Sequence, residues 1–282
     1  MKLILGTAQF GLPYGVTRTD DHVDDTTLQS LLKQAAKAGI DMLDTSPAYG
    51  TSETRLGQFN AAHSFALQTK TFGGQFDLAP EQLEEQFSNS LRALQASEVE
   101  SFLVHSVTQL KGTAGGSLIR CLQSLKDKGL AKRIGVSVYD ADDIDTVLEM
   151  FRPDVIQLPI SIADQRLVHS GHLEKLKKLN ITTQARSVFL QGLLLTSPSE
   201  LPPFFREASH MVQQLHENFS TPEEACMAFV GNSSLIDEVV FGVHSPQQLE
   251  RITKSVVSEL KHDNWKSYVL SDDLVDPRRW KK

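Results

Sequence analysis

Four residues within the first 105 positions of this 282-residue chain have the types and spacing to move a proton: Asp44, Tyr49, Lys70 and His105. Asp44 follows the apolar pair Met42-Leu43 and is followed by Thr45-Ser46-Pro47-Ala48-Tyr49-Gly50, so an acid and a phenol lie five residues apart in one strand-to-loop passage. Pro47 fixes φ and Gly50 tolerates turns, which forces the loop. Lys70 closes the apolar run 65–70, and a buried ammonium needs a partner. Asp44 is the obvious one. A lysine held by an aspartate and aimed at a phenol favours phenolate, which would lower Tyr49 from the tyrosine reference near 10. That suits proton donation to a developing alkoxide near neutral pH, while His105 can hydrogen-bond and orient the same oxygen. Each residue alone has a plainer reading: Asp44 as a loop cap, Tyr49 as a surface aromatic, Lys70 snorkelling to a rim, His105 as a satisfied core histidine. Their joint placement at neighbouring strand ends favours a functional set.

The elements that position them alternate along the whole chain. Strands are expected over residues 3–7, 42–44, 65–70, 102–105, 134–138, 155–158, 181–188 and 238–243. Helical spacing covers 24–38, 52–60, 80–94, 118–125, 141–151, 172–179, 204–219, 222–230 and 245 to about 260. Ser245-Pro246-Gln247-Gln248 reads as a capped helix start, with proline at the first helical position. Strands that are short and apolar throughout, each followed by a helix, imply a parallel sheet covered on its outer face. Eight such units close as a (β/α)8 TIM barrel, an α/β fold expected to form one domain over residues 1–282. A doubly wound open sheet competes, but Gly6-Thr7-Ala8-Gln9-Phe10-Gly11 lacks the GxGxxG spacing of its phosphate loop. In a barrel, strand ends form the mouth, where neighbouring strands lie roughly 5 Å apart.

Composition narrows the function classes. A net charge of −7 argues against nucleic acid or an anionic membrane surface as the partner. No 18-residue apolar span suggests a membrane helix, and the start 1–6 is too short in its apolar part for a signal peptide. Cys121 and Cys226 lie far apart without CxxC or zinc-ligand spacing, so two buried thiols in a cytoplasmic protein are expected. The nine histidines do not cluster, and no metal site is expected.

The stretch Asp44-Thr45 … Tyr49-Gly50-Thr51-Ser52-Glu53 resembles the aldo-keto reductase family. The resemblance continues through Thr69-Lys70, Leu103-Val104-His105, Ile134-Gly135-Val136-Ser137, Gln157, Ser187, Gly192-Leu193-Leu194 and Gly242, in order over nearly the whole chain. It implies a barrel that binds NADPH in an extended groove and passes hydride to an aldehyde or ketone, with Asp44, Tyr49, Lys70 and His105 as catalytic tetrad and Tyr49 as proton donor. By the same resemblance Ser137 and Gln157 hold the nicotinamide carboxamide, and Gly6, Thr7 and Arg186 are also cofactor-binding residues. Ser187, Phe189, Gln191 and Gly192 run along the pyrophosphate. Gly242, His244 and Gln248 meet the adenosine half, where a helix N-terminus suits the 2′-phosphate. Three positions depart from the family pattern. Val138 follows Ser137, Arg186 stands where an aromatic usually stacks on the nicotinamide, and the basic clamp after Gly242 is absent unless Arg251 supplies it. The resemblance implies NADP over NAD, and these departures leave NAD open. The start 6–11 and the end Asp276-Pro277-Arg278-Arg279-Trp280 resemble reductase-like proteins of surface-polysaccharide pathways, which points to a sugar-derived carbonyl.

Three functions follow: a carbonyl reductase acting on a small molecule as monomer or weak dimer, a Schiff-base lyase using Lys70, and a non-catalytic nicotinamide-nucleotide-binding regulator.

Overall fold

The computed structural model describes residues 1–16, 22–73, 80–256 and 264–280. Eight parallel strands close into one barrel in chain order, the last pairing with the first. They are β1 (Lys2–Gly6), β2 (Met42–Asp44), β3 (Ala66–Lys70), β4 (Val99–Val104), β5 (Ala131–Ser137), β6 (Val155–Pro159), β7 (Thr182–Arg186) and β8 (Glu238–Gly242). Helices lie between and after them: α1 (Asp25–Lys37), α2 (Ser52–Gln58), α3 (Pro80–Leu94), α4 (Thr108–Lys111), α5 (Gly115–Asp127), α6 (Ala141–Met150), α7 (His172–Lys178), α8 (Ser209–Asn218), α9 (Pro222–Gly231), and past β8 α10 (Pro246–Ser255) and α11 (Asp272–Val275). This is the (β/α)8 architecture.

Helix starts follow side-chain chemistry. Asp24, Asp140, Thr221 and Ser245 each accept a backbone N–H three residues on, and proline occupies the first position of α9 and α10. The expected single helix over 204–219 divides: residues 203–208 form a 3₁₀ segment and α8 starts at Ser209. α10 ends at Ser255 among the described residues, and the expected extension to 260 lies outside them. His105 lies one residue past β4 rather than closing it.

The main apolar core fills the space between strands and helices, with pairs such as Phe87 and Phe102 stacked edge-on at 4.7 Å. The barrel interior differs from the expected apolar strands. Hydrogen bonds cross it between diametrically opposed strands: Gln68 of β3 with Gln184 of β7, and Gln157 of β6 with Asp44 of β2. Arg133 of β5 reaches Glu238 of β8 across the same space. A small apolar patch, Ile4, Met42 and Val240, accompanies them. Strand side chains alternate between faces, so the residues that read as an apolar run supply the outer layer while polar ones face inward.

Candidate active site

The loop after β2 is built by turns. Tyr49 N donates to Ser46 O at 2.9 Å, Ser52 N donates to Tyr49 O at 3.1 Å, and Gly50 takes φ 59°. This loop packs against Gly11: a Cβ on Gly11 would collide with Tyr49 O and Ser52 N, and one on Gly50 with Gly11 O. Thr7 ties the arrangement from beneath. Its hydroxyl donates to Asp44 O at 3.0 Å and lies 2.8 Å from Ser52 Oγ. Glu53, buried, accepts from Thr69 Oγ1 at 2.5 Å and Ser90 Oγ at 3.0 Å, anchoring α2 beside β3.

Above this base the four candidate residues converge. Lys70 Nζ donates to both Asp44 oxygens at 2.6 and 2.7 Å, to Thr45 O at 3.2 Å and to Tyr49 Oη at 3.2 Å. The Tyr49 and His105 rings meet edge-on, centroids 6.2 Å apart. His105 Nδ1 lies 3.2 Å from Ser46 Oγ, and its backbone N–H donates to Thr71 Oγ1 at 2.9 Å.

The electrostatics correct one expectation. Tyr49 is not lowered: burial pushes its hydroxyl well above the tyrosine range, the Asp44 charge adds to this, and Arg186 opposes it. Desolvation of the phenolate outweighs the cations nearby. Burial pulls Lys70 down while Asp44 pushes back. Burial, then the Lys70 charge, pulls His105 down to about 4, so its imidazole is neutral at pH 7. The resting set is a protonated phenol, a neutral imidazole and a clamped lysine-aspartate pair.

All four line a cavity of about 600 Å³ at the mouth. Gly6, Thr7, Ser137 and Gln157 share its wall, as do Arg186, Ser187, Phe189, Gln191 and Gly192 after β7 and Gly242, His244 and Gln248 after β8. Arg251 does not: it is half-exposed and its Nε donates to buried Glu223 Oε1 at 2.8 Å. The clamp expected of it is engaged elsewhere. The segment after β7 is backbone-strained at Ser187, Leu190 and Gln191, at φ of 60°, 47° and 54°, and Gly192 continues it at φ 89°, which a glycine takes without strain.

Sequence reading missed Tyr14 and Tyr139, both in the wall. Tyr14 follows Pro13 and precedes Gly15 just after the first strand, a loop aromatic placed as Tyr49 is. Tyr139 is sandwiched between the guanidinium of Arg186 at 4.4 Å and that of Arg278 at 4.2 Å from its ring centre. Arg186 also donates to Val138 O at 3.0 Å, and its buried Nε has no hydrogen-bond partner among the described residues.

Comparison with known proteins agrees with this architecture. The sequence matches the family model of the Aldo/keto reductase family over residues 2–269. It is 23% identical over 295 residues to aldo-keto reductase YhdN of Bacillus subtilis, covering 90% of this chain and 86% of that protein. It is 29% identical over 184 residues to the NADH-specific methylglyoxal reductase of Escherichia coli, covering 57% of this chain and 56% of that enzyme. Among solved structures, aldo-keto reductase AKR11C1 of Bacillus halodurans, in its holo form, superposes with a TM-score of 0.76 at 19% identity, over 99% of this chain and 95% of that one. A family match over residues 2–269, a range that holds all eight strands, leaves one assignment: this chain belongs to the aldo/keto reductase family, a group of oxidoreductases.

Proposed function

We propose that this protein reduces an aldehyde or ketone to an alcohol with a nicotinamide dinucleotide, and that Tyr49 supplies the proton. The observation that carries this is the contact of Tyr49 Oη with Lys70 Nζ at 3.2 Å in the cavity wall. The residues fit such a cofactor. The cavity runs from the β6 end to the β8 end, Arg186 lines it and keeps one buried N–H without a partner among the described residues, and the left-handed backbone at Ser187, Gln191 and Gly192 forms part of its wall. Bound there, the dinucleotide supplies hydride to the carbonyl carbon.

The chain's own part is proton handling. The raised Tyr49 hydroxyl keeps its proton until a strongly basic alkoxide develops beside it. Once the proton leaves, Lys70 Nζ already donates to the phenolate oxygen, and Asp44 holds that ammonium in place. Neutral His105 is positioned to hydrogen-bond the substrate oxygen without competing as an acid. A Schiff-base role for Lys70 is disfavoured because its nitrogen is buried and engaged by four oxygens.

The capped N-terminus of α10 supports NADPH over NADH, and the engagement of Arg251 by Glu223 makes that preference small. A sugar-derived carbonyl remains the substrate favoured by the terminal motifs, and a monomer the favoured state. The test is Tyr49→Phe. Cofactor binding, followed by fluorescence, should be retained while reduction across a carbonyl panel falls by about 10²-fold or more. Full reduction by that variant overturns the mechanism, and failure of the wild type to bind either dinucleotide overturns the function.

A further inference from the structure

Asp44 is the acid on which the lysine-phenol contact hangs, and three nitrogen donors from strands around the barrel converge on its Oδ1. Lys70 Nζ lies at 2.6 Å, Gln68 Nε2 at 2.6 Å and Gln157 Nε2 at 3.1 Å. The two glutamines are held in turn by a third. Gln184 Oε1 accepts from Gln68 Nε2 at 2.7 Å and from Gln157 Nε2 at 2.6 Å. Gln184 Nε2 donates to Gln68 Oε1 at 3.1 Å and to Glu238 Oε2 at 2.8 Å. Glu238 Oε1 is capped by Arg133 Nη1 at 2.9 Å. A chain of side-chain hydrogen bonds thus runs along the barrel from the Arg133–Glu238 ion pair to the Asp44–Lys70 ion pair, through residues that are almost wholly buried.

The order of donors and acceptors in this chain has one direction. Glu238 is an acceptor, so Gln184 must turn its Nε2 toward it and its Oε1 toward Gln157 and Gln68. Both of those glutamines must then offer Nε2, the group an ionised Asp44 requires. For Gln157, both contacts use Nε2, so its Oε1 is the atom left for the cavity it lines. A flip of any one amide would set N–H against N–H or oxygen against carboxylate in a buried site, where an unmet polar group is costly.

We propose that Gln68 and Gln184 are positioning residues of the reductase site: they orient ionised Asp44 under Lys70 and lock the Gln157 amide so that its carbonyl oxygen faces the cavity. The proposal rests on the reductase reading for its kinetic consequences and on the apoprotein alone for its structural ones. Gln68 spreads the Asp44 charge over a second donor. Without it that charge falls more fully on Lys70, which holds its proton more tightly.

The test compares Gln68→Met and Gln184→Met, which keep length and remove hydrogen bonds, with Ile4→Val, a change in the apolar patch of the same interior. In the cofactor-free protein, the side-chain amide protons of Gln157 should exchange slowly with solvent in the wild type and in Ile4→Val. They should exchange at least about tenfold faster in Gln184→Met. In turnover, both methionine variants should lose about tenfold or more in kcat with KM within about twofold, the loss expected when a hydrogen bond to a buried charge is removed. The alkaline limb of the pH profile should move to higher pH in Gln68→Met and stay in place in Ile4→Val. Unchanged amide exchange in Gln184→Met overturns the locked amide, and kcat within twofold of wild type in both variants overturns the positioning role. If the wild type reduces no carbonyl, the reductase reading fails, and the exchange measurement still decides the lock.

Discussion

Replacing Lys70 by methionine removes the cation from a pair whose side chains are 1% and 4% exposed. Breaking a buried ion pair by deleting one partner costs about 3–5 kcal/mol, because the remaining charge stays in the interior uncompensated. Asp44 keeps Gln68 and Gln157 as donors, so Lys70→Met belongs at the lower end, about 3 kcal/mol. For a chain of this size a loss of 1 kcal/mol lowers Tm by about 2–4 °C, which gives a drop of about 6–12 °C. Asp44→Asn strands the lysine and should cost a similar amount. The double variant strands neither charge and should cost well below the sum, with a coupling of about 2 kcal/mol or more. The assay is calorimetry of the four proteins at pH 7 without cofactor, since a bound ligand would shift every Tm. Additive losses, within about 0.5 kcal/mol, would refute the claim that Lys70 and Asp44 act as one buried unit.

Three further outcomes are expected. His105, pulled down to about 4 from 6.5, takes up its proton in the unfolded chain before the folded one, so its contribution is fully present above pH 6.5 and is lost as pH falls toward 4. Between pH 7.5 and 5 the wild type should lose about 2 kcal/mol more than His105→Asn, read from urea unfolding at both pH values; equal losses would show that the histidine is not desolvated. Gly11→Ala should push the Tyr49 loop off the β1 end, since the new Cβ meets backbone on two sides, and kcat should fall at least about tenfold, with Tm lowered. A wild-type rate in that variant would show that the loop yields freely. NADPH should bind less than about tenfold tighter than NADH, and Arg251→Gln should change that ratio by less than about twofold, because Arg251 is spent on Glu223; a hundredfold preference abolished by Arg251→Gln would show that the arginine turns to the cofactor.

The fold and the four residues at the mouth were legible because each breaks a local pattern. An acid, a lysine and a histidine stand at or just past the ends of apolar runs, and Pro47 and Gly50 announce the loop that carries the phenol. What was not legible depended on partners remote in sequence. Arg251 is engaged by Glu223, 28 residues away, and Gln68 by Gln184, 116 residues away. Tyr139 lies two positions past Ser137, but its place in the wall follows from Arg186 and Arg278, which flank its ring from β7 and from the C-terminal segment. The direction of the Tyr49 shift was missed for a related reason. Sequence names the charges that could lower a phenol, whereas the desolvation that raises it is a property of the closed barrel.

The polar barrel interior has a consequence for how this lineage can vary. An apolar core drifts one residue at a time, because a methyl group lost at one site can be regained at its neighbour. Here Gln68, Gln157, Gln184, Glu238 and Arg133 each satisfy at least one of the others, so a first change at any of them leaves a buried group wanting. Viable relatives should therefore differ at these five positions as a block, exchanging the whole set or none of it, while the surrounding strands diverge independently.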